Sequence, residues 1–232
     1  MKVVARSPII YKLIMFVILS IVHLHIVYAL DADISALNIN RLKGLMIGMP
    51  YLLMYSLFLI MSIYNVKKYS IYLLMMFSIF IFYKTFTIFI IGFDKILLIL
   101  NVIYLIVSYN FISIFAEELK SSIYNPNFEL GSLFVEDYND VEVELFDTRK
   151  GKAIKGTLSK LDERSFVVHT NENHIKGEVK VVFKYKRHVF TCIGKVVTKY
   201  HNGIGLRVTD KSVDQELDWS EFYQIKYRRG FV

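Results

Sequence analysis

Cysteine is nearly missing. Cys192 is the single one in 232 residues, so no intrachain disulfide can form, and nothing in the thiol content marks an oxidising compartment. The motifs that carry common chemistries are also missing. The chain has no glycine-rich nucleotide loop, no paired-cysteine metal motif, no His-Glu-x-x-His and no acidic glycosyltransferase-like motif. The sequence therefore names no catalytic residue, metal ligand or required cofactor, and it reads as non-enzymatic. His169, His174, His188 and His201 are scattered over strand and turn sequence and form no ligand set. A basic stripe suited to nucleic acid is absent as well. Charges in the C-terminal half nearly cancel, so most of the net +7 belongs to the membrane half and reports topology and not nucleic-acid binding.

What the chain holds in excess is apolar sequence. Hydrophobic residues make up 54% and the mean hydropathy is +0.41, too apolar for a soluble domain. They dominate up to Phe115 and then give way to alternating, charge-rich sequence. Two domains are expected: a four-span transmembrane domain over residues 1–120 and a soluble β-domain over 131–232, joined by a linker, 121–130, around Asn125-Pro126-Asn127.

The expected spans are Pro8 to Leu30, Gly44 to Tyr64, Ile71 to Gly92 and Ile96 to Phe115. The first lacks a small-x-small cleavage site at Ala29-Leu30-Asp31 and reads as an uncleaved signal anchor. Lys84 inside the third costs about 3 kcal/mol, which the surrounding Leu, Ile and Phe offset at about 0.3 to 0.6 kcal/mol each. No Asp or Glu lies deep in any span to complete a proton relay with His23 or His25, so hydrogen bonding between helices is the simpler role for them and for Asn101 and Asn110. Lys2 and Arg6 before the first span, with Lys67 and Lys68 after the second, favour both termini in the cytoplasm.

Six β-type runs follow: Val141 to Phe146, Ala153 to Lys160, Arg164 to Thr170, Glu178 to Tyr185, Val189 to Lys199 and Gly203 to Thr209. A helical pattern closes the chain over Asp210 to Ile225, with Val213, Leu217, Phe222 and Ile225 on one face. A tight meander capped by a helix is what a small closed barrel needs. The fold class expected is thus α+β: a four-helix transmembrane region, then a six-stranded antiparallel barrel with a C-terminal helix.

Within this stretch Gly156-Thr-Leu-Ser-Lys160-Leu-Asp162-Glu-Arg-Ser165-Phe-Val-Val, Lys176-Gly177-Glu-Val-Lys-Val-Val-Phe, Ile193-Gly194-Lys-Val-Val197 and Gly203-Ile-Gly205-Leu-Arg-Val208 together resemble a PilZ domain over about seventy residues. That resemblance implies a barrel that binds cyclic di-GMP through Arg-x-x-x-Arg and Asp/Asn-x-Ser-x-x-Gly. The second motif would fall on Lys160, Asp162 and Ser165, none of which matches, and no Arg-x-x-x-Arg occurs in the chain. Upstream stand Glu136, Asp137 and Asp140 instead. Losing two charge-assisted contacts weakens binding on the order of a hundredfold to ten-thousandfold, so tight binding of cyclic di-GMP is disfavoured.

The resemblance implies an accessory or regulatory subunit at the bacterial inner membrane, docking on a polysaccharide synthase or export complex of cellulose or alginate type. Two alternatives stand beside it. One is a genuine cyclic di-GMP receptor using Arg149, Lys150 and Lys152 in place of the arginine pair; the other is a small transporter or channel resting on Lys84, His23 and His25. Lys184, Lys186 and Arg187 form the densest basic cluster, at an expected hairpin tip, and are the candidates for contact with a protein partner or acidic membrane lipid.

Overall fold

The computed structural model describes residues 2–121, 123–124, 141–147, 153–170, 175–210 and 219–229. Two compact units divide the chain: Ser7–Leu119, which is helical, and Met1–Arg6 together with Lys120–Val232, which holds the sheet.

In the helical unit α1 (Pro8–Asp31) starts where the Ser7 hydroxyl accepts the Ile9 amide at 3.1 Å, with Pro8 in the first turn, where its missing N–H costs nothing. Then come α2 (Ile39–Gly48), α3 (Pro50–Tyr64), α4 (Ser70–Gly92) and α5 (Lys95–Lys120). α1, α4 and α5 are each long and apolar enough to cross a membrane. Their outward faces carry large apolar side chains such as Met15, Leu19, Met76, Ile91 and Ile106, whereas small polar ones, Ser20, Ser56, Ser78, Thr85 and Ser108, are buried between helices.

The second expected span is not one helix. It breaks between α2 and α3 with a bend of 89°. Pro50 bars the preceding residue from the helical region, and Met49 sits at φ −130, ψ 61. Five helices therefore replace the four expected.

The sheet unit departs further. Its strands are β2 (Glu142–Asp147), β3 (Ala153–Asp162), β4 (Ser165–His169), β5 (Glu178–Tyr185), β6 (His188–Tyr200) and β7 (Gly203–Asp210), and a further strand, β1 (Lys2–Val3), comes from the N-terminus. They form one seven-stranded antiparallel sheet in the order β1-β6-β5-β2-β3-β4-β7, and β7 also pairs with β6. The consecutive six-stranded PilZ-like meander expected from the sequence is not the arrangement that forms; a seven-stranded sheet takes its place. β5 bonds to β2 instead of following β4, β4 bonds to β7, and β1 adds a strand from 195 residues upstream of β6's Thr198, its register partner at Val3.

One face of the sheet buries Val143, Leu145, Phe166, Val181, Phe183, Phe190 and Leu206 under α6 (Trp219–Arg229). Trp219 and Phe222 enter this core, with Trp219 4.8 Å from Phe166 and Phe222 5.0 Å from Phe183 between ring centroids. The Trp219 indole N–H donates to the Glu163 carbonyl at 2.8 Å, so its one polar atom is satisfied. Cys192 is buried in the same core, which pushes its thiol pKa up and keeps it protonated and inert.

Candidate functional sites

The β3–β4 hairpin gathers Asp162 and Ser165. Asp162 accepts the Arg164 amide at 2.8 Å through Oδ1 and the Ser165 hydroxyl through Oδ2 at 2.5 Å. Ser121, the first residue after α5, donates to the same Oδ2 at 3.3 Å and lies 2.9 Å from the Ser165 hydroxyl. These groups thus fasten the chain leaving α5 to the sheet. Lys160 follows a register irregularity that begins at Leu158. Arg149, Lys150 and Lys152 lie outside the described residues, as do Glu136, Asp137 and Asp140.

A second fastening lies on β6. The Ile123 carbonyl accepts the Thr198 hydroxyl at 2.8 Å and also the Tyr200 hydroxyl. The Val197 carbonyl accepts the amides of Val4 and Ala5 at 2.8 and 3.2 Å. Four consecutive residues of β6 therefore hold both the segment that enters α1 and the segment that leaves α5. The sequence signals none of this, because a two-residue strand has no readable period.

At the other end of β6 the two-residue turn Lys186-Arg187 joins Tyr185 to its register partner His188. Lys186 takes φ 55, the sign that tight hairpin turns require at their first central position. Beside it a cavity of about 310 Å³ is lined by Tyr185, Lys186, Arg187, His188, Phe190 and Ile225. The Lys226 ammonium sits 4.3 Å from the Tyr185 ring centroid and that of Lys186 sits 5.4 Å from it, so two cations share one aromatic ring. Among the described residues neither Lys186 nor Arg187 has a carboxylate partner.

Lys184 is different: its ammonium meets Glu144 at 2.6 Å, and that hydrogen bond holds its pKa above the usual lysine value. Of the three basic residues singled out by density along the chain, two line the cavity and one is paired on a neighbouring strand. Lys226 was missed because α6 brings it from forty residues downstream.

The intramembrane polar residues do not converge. His25 Nε2 lies 3.1 Å from the Ala36 carbonyl, and the His23 ring stacks on Tyr104 with centroids 4.6 Å apart. Lys84 sits over the Phe80 ring at 5.9 Å. Thr85 donates to Asn101 Oδ1 at 2.5 Å, an interhelical bond, while Asn110 bonds its own helix at the Ile106 carbonyl at 2.8 Å. With three separate environments for Lys84, His23 and His25, nothing supports the transporter or channel reading.

No protein-family model matches the chain, and no curated protein matches it. The PilZ-like function falls with the barrel on which it rested: the seven-stranded sheet removes the basis for an exopolysaccharide accessory subunit and for a cyclic di-GMP receptor alike. The class that remains is a multi-pass membrane protein carrying an α+β sheet unit.

Proposed function

We propose that the protein is a four-crossing, non-catalytic membrane protein that carries its sheet unit on the cytoplasmic side as a binding module. One observation carries this reading: β1, which precedes α1, is hydrogen-bonded to β6, which follows α5. Both ends of the helical unit must then lie on one side of the bilayer, which requires an even number of crossings. α1, α4 and α5 supply three, so the bent pair α2–α3 supplies the fourth and is a broken span, not a re-entrant loop.

Lys2, Arg6, Lys67 and Lys68 fall on the sheet's side under this arrangement, and the positive-inside bias makes that side cytoplasmic. A binding role is supported by the basic, aromatic cavity at Lys186-Arg187, a recess suited to an anionic ligand among the described residues.

Reporter fusions test the sidedness. Reporters after Val232 and within residues 65–69 should both read cytoplasmic, and those at residues 33–38 and at Asp94 should read exported. A reporter at 65–69 on the opposite side from Val232 overturns the four-crossing arrangement.

A further inference from the structure

Lys84 stands inside α4 with its ammonium 5.9 Å from the ring centroid of Phe80, one turn back towards Ser70. The helix itself sets that direction, since its Cα–Cβ bonds tilt towards the N-terminus. It carries the charge away from the nearer end of the span. Gly92 lies about 12 Å further along the axis and Ser70 about 21 Å behind, so an ammonium drawn back over Phe80 stands close to the midpoint of α4. A hydrocarbon core about 30 Å thick then puts the headgroups of either leaflet about 15 Å away, too far for a side chain turned inward to snorkel.

The chain brings this charge no partner. None of residues 34–93 or 95–116 is acidic. The carboxylates that border the helices stand at their ends: Asp31 and Asp33 at the end of α1, Asp94 after α4, and Glu117 and Glu118 in the last turn of α5. Among the described residues Lys84 makes no ion pair. A second copy of the chain carries the same spans and would set lysine against lysine.

Lys84 also ends an apolar recess. Met76, Phe77 and Phe80 of α4 face Tyr51 and Tyr55 of α3 across a cavity of about 480 Å³, and the i+4 spacing puts Lys84 on the face that carries Phe80. An ionisable group inside a bilayer is costly unless it is paired or reaches water. What covers this face must therefore bury apolar surface and supply an anion at mid-depth. Lipid carries its charge at the interface, so only a spanning helix does both.

We propose that the α3–α4 face around Phe80 and Lys84 docks one transmembrane helix of a different protein, whose Asp or Glu at mid-span pairs with Lys84. The inference needs α4 to cross the bilayer but neither the crossing number nor the sidedness, so it fails or stands apart from the reading above.

Energy transfer between the labelled full chain and a designed helix in phosphatidylcholine vesicles tests it. The probe is a host helix of about 20 Leu and Ala residues with one central Asp, compared with its wholly apolar counterpart. The Asp helix should bind about tenfold more tightly, the order expected of a polar contact between helices in a bilayer. Lys84→Leu should abolish that preference and Lys84→Arg should keep it. Lys84→Asp should transfer it to a host helix with a central Lys. Equal binding of the Asp and apolar helices, or a preference undiminished by Lys84→Leu, overturns the proposal. Added phosphatidylglycerol should leave the preference intact; its loss there would mean that a headgroup already neutralises Lys84. Transfer between two labelled copies of the chain should be the same with and without Lys84→Leu; a change would assign the face to a second copy. Either of these results overturns the partner helix.

Discussion

The Thr198 hydroxyl donates to the Ile123 carbonyl at 2.8 Å, joining the segment that leaves the last membrane helix to the strand that also binds the segment entering the first. Tyr200 donates to the same carbonyl, so both lone pairs of one oxygen are used. This doubled acceptor makes the junction tolerant of losing one donor and intolerant of losing both.

Thr198→Val should therefore cost only about 1 kcal/mol, and Tyr200→Phe a similar amount, because the Ile123 carbonyl keeps one donor in either case. The double variant leaves that buried oxygen unsatisfied and should cost more than the sum, by about 1 kcal/mol or more. Thermal melts of the full chain in detergent, arranged as a double-mutant cycle, measure the excess. Strict additivity would show that the two hydroxyls do not share the acceptor.

The Tyr200 phenol also makes the junction sensitive to alkali. Burial raises its pKa above the ordinary 10.0, against a smaller opposing effect of a hydrogen bond with Thr198. Between the unfolded value and the raised folded one the folded chain holds more protons than the unfolded chain, so stability falls as pH rises. The loss starts near pH 10 and is complete once the folded pKa is passed. Melting points followed from pH 9 upward should drop less steeply in Tyr200→Phe than in the natural chain; parallel curves would remove Tyr200 as the cause.

Gly205 is a close-approach glycine. A Cβ there would overlap the Thr198 hydroxyl and lie 3.2 and 3.3 Å from Ile123 atoms, so Gly205→Ala forces the junction apart. An overpacking cost of about 1–3 kcal/mol is expected. Thr198→Ala in the Gly205→Ala background should recover part of it, since the worst overlap is with Thr198 itself. Equilibrium melts of the single and paired variants decide the matter.

Lys186 occupies a left-handed conformation that glycine adopts without penalty. Lys186→Gly should raise stability by up to about 1 kcal/mol while removing one cation from the cavity lined by Tyr185 and Phe190. Arg187→Ala leaves the turn conformation unchanged and removes the other. If the cavity serves an anionic ligand, both substitutions weaken capture of an acidic ligand while only the first stabilises the fold. Capture unchanged in both would dismiss the cavity as the working site.

Much of the secondary structure was legible without coordinates. The six alternating runs coincide with β2 to β7 to within three residues at each end, because a half-buried strand writes its period of two into the sequence. α1, α4 and α5 were equally plain, since a lipid-embedded helix must be apolar over its whole length. The break at Met49-Pro50 was not, for the stretch from Gly44 to Tyr64 stays apolar on both sides of the bend and hydropathy carries no direction.

Composition and period thus determined where six strands and three long helices lie and that those helices are apolar enough to cross a membrane; the closing helix, expected from Asp210, is Trp219–Arg229, with Asp210 ending β7 and Val213 and Leu217 outside the described residues. Only the tertiary structure decided which strands meet: β5 with β2, β4 with β7, and Lys2–Val3 with the end of β6. Pairing is settled by contacts between residues far apart in the chain, and a run of alternating side chains fits any partner of the same period.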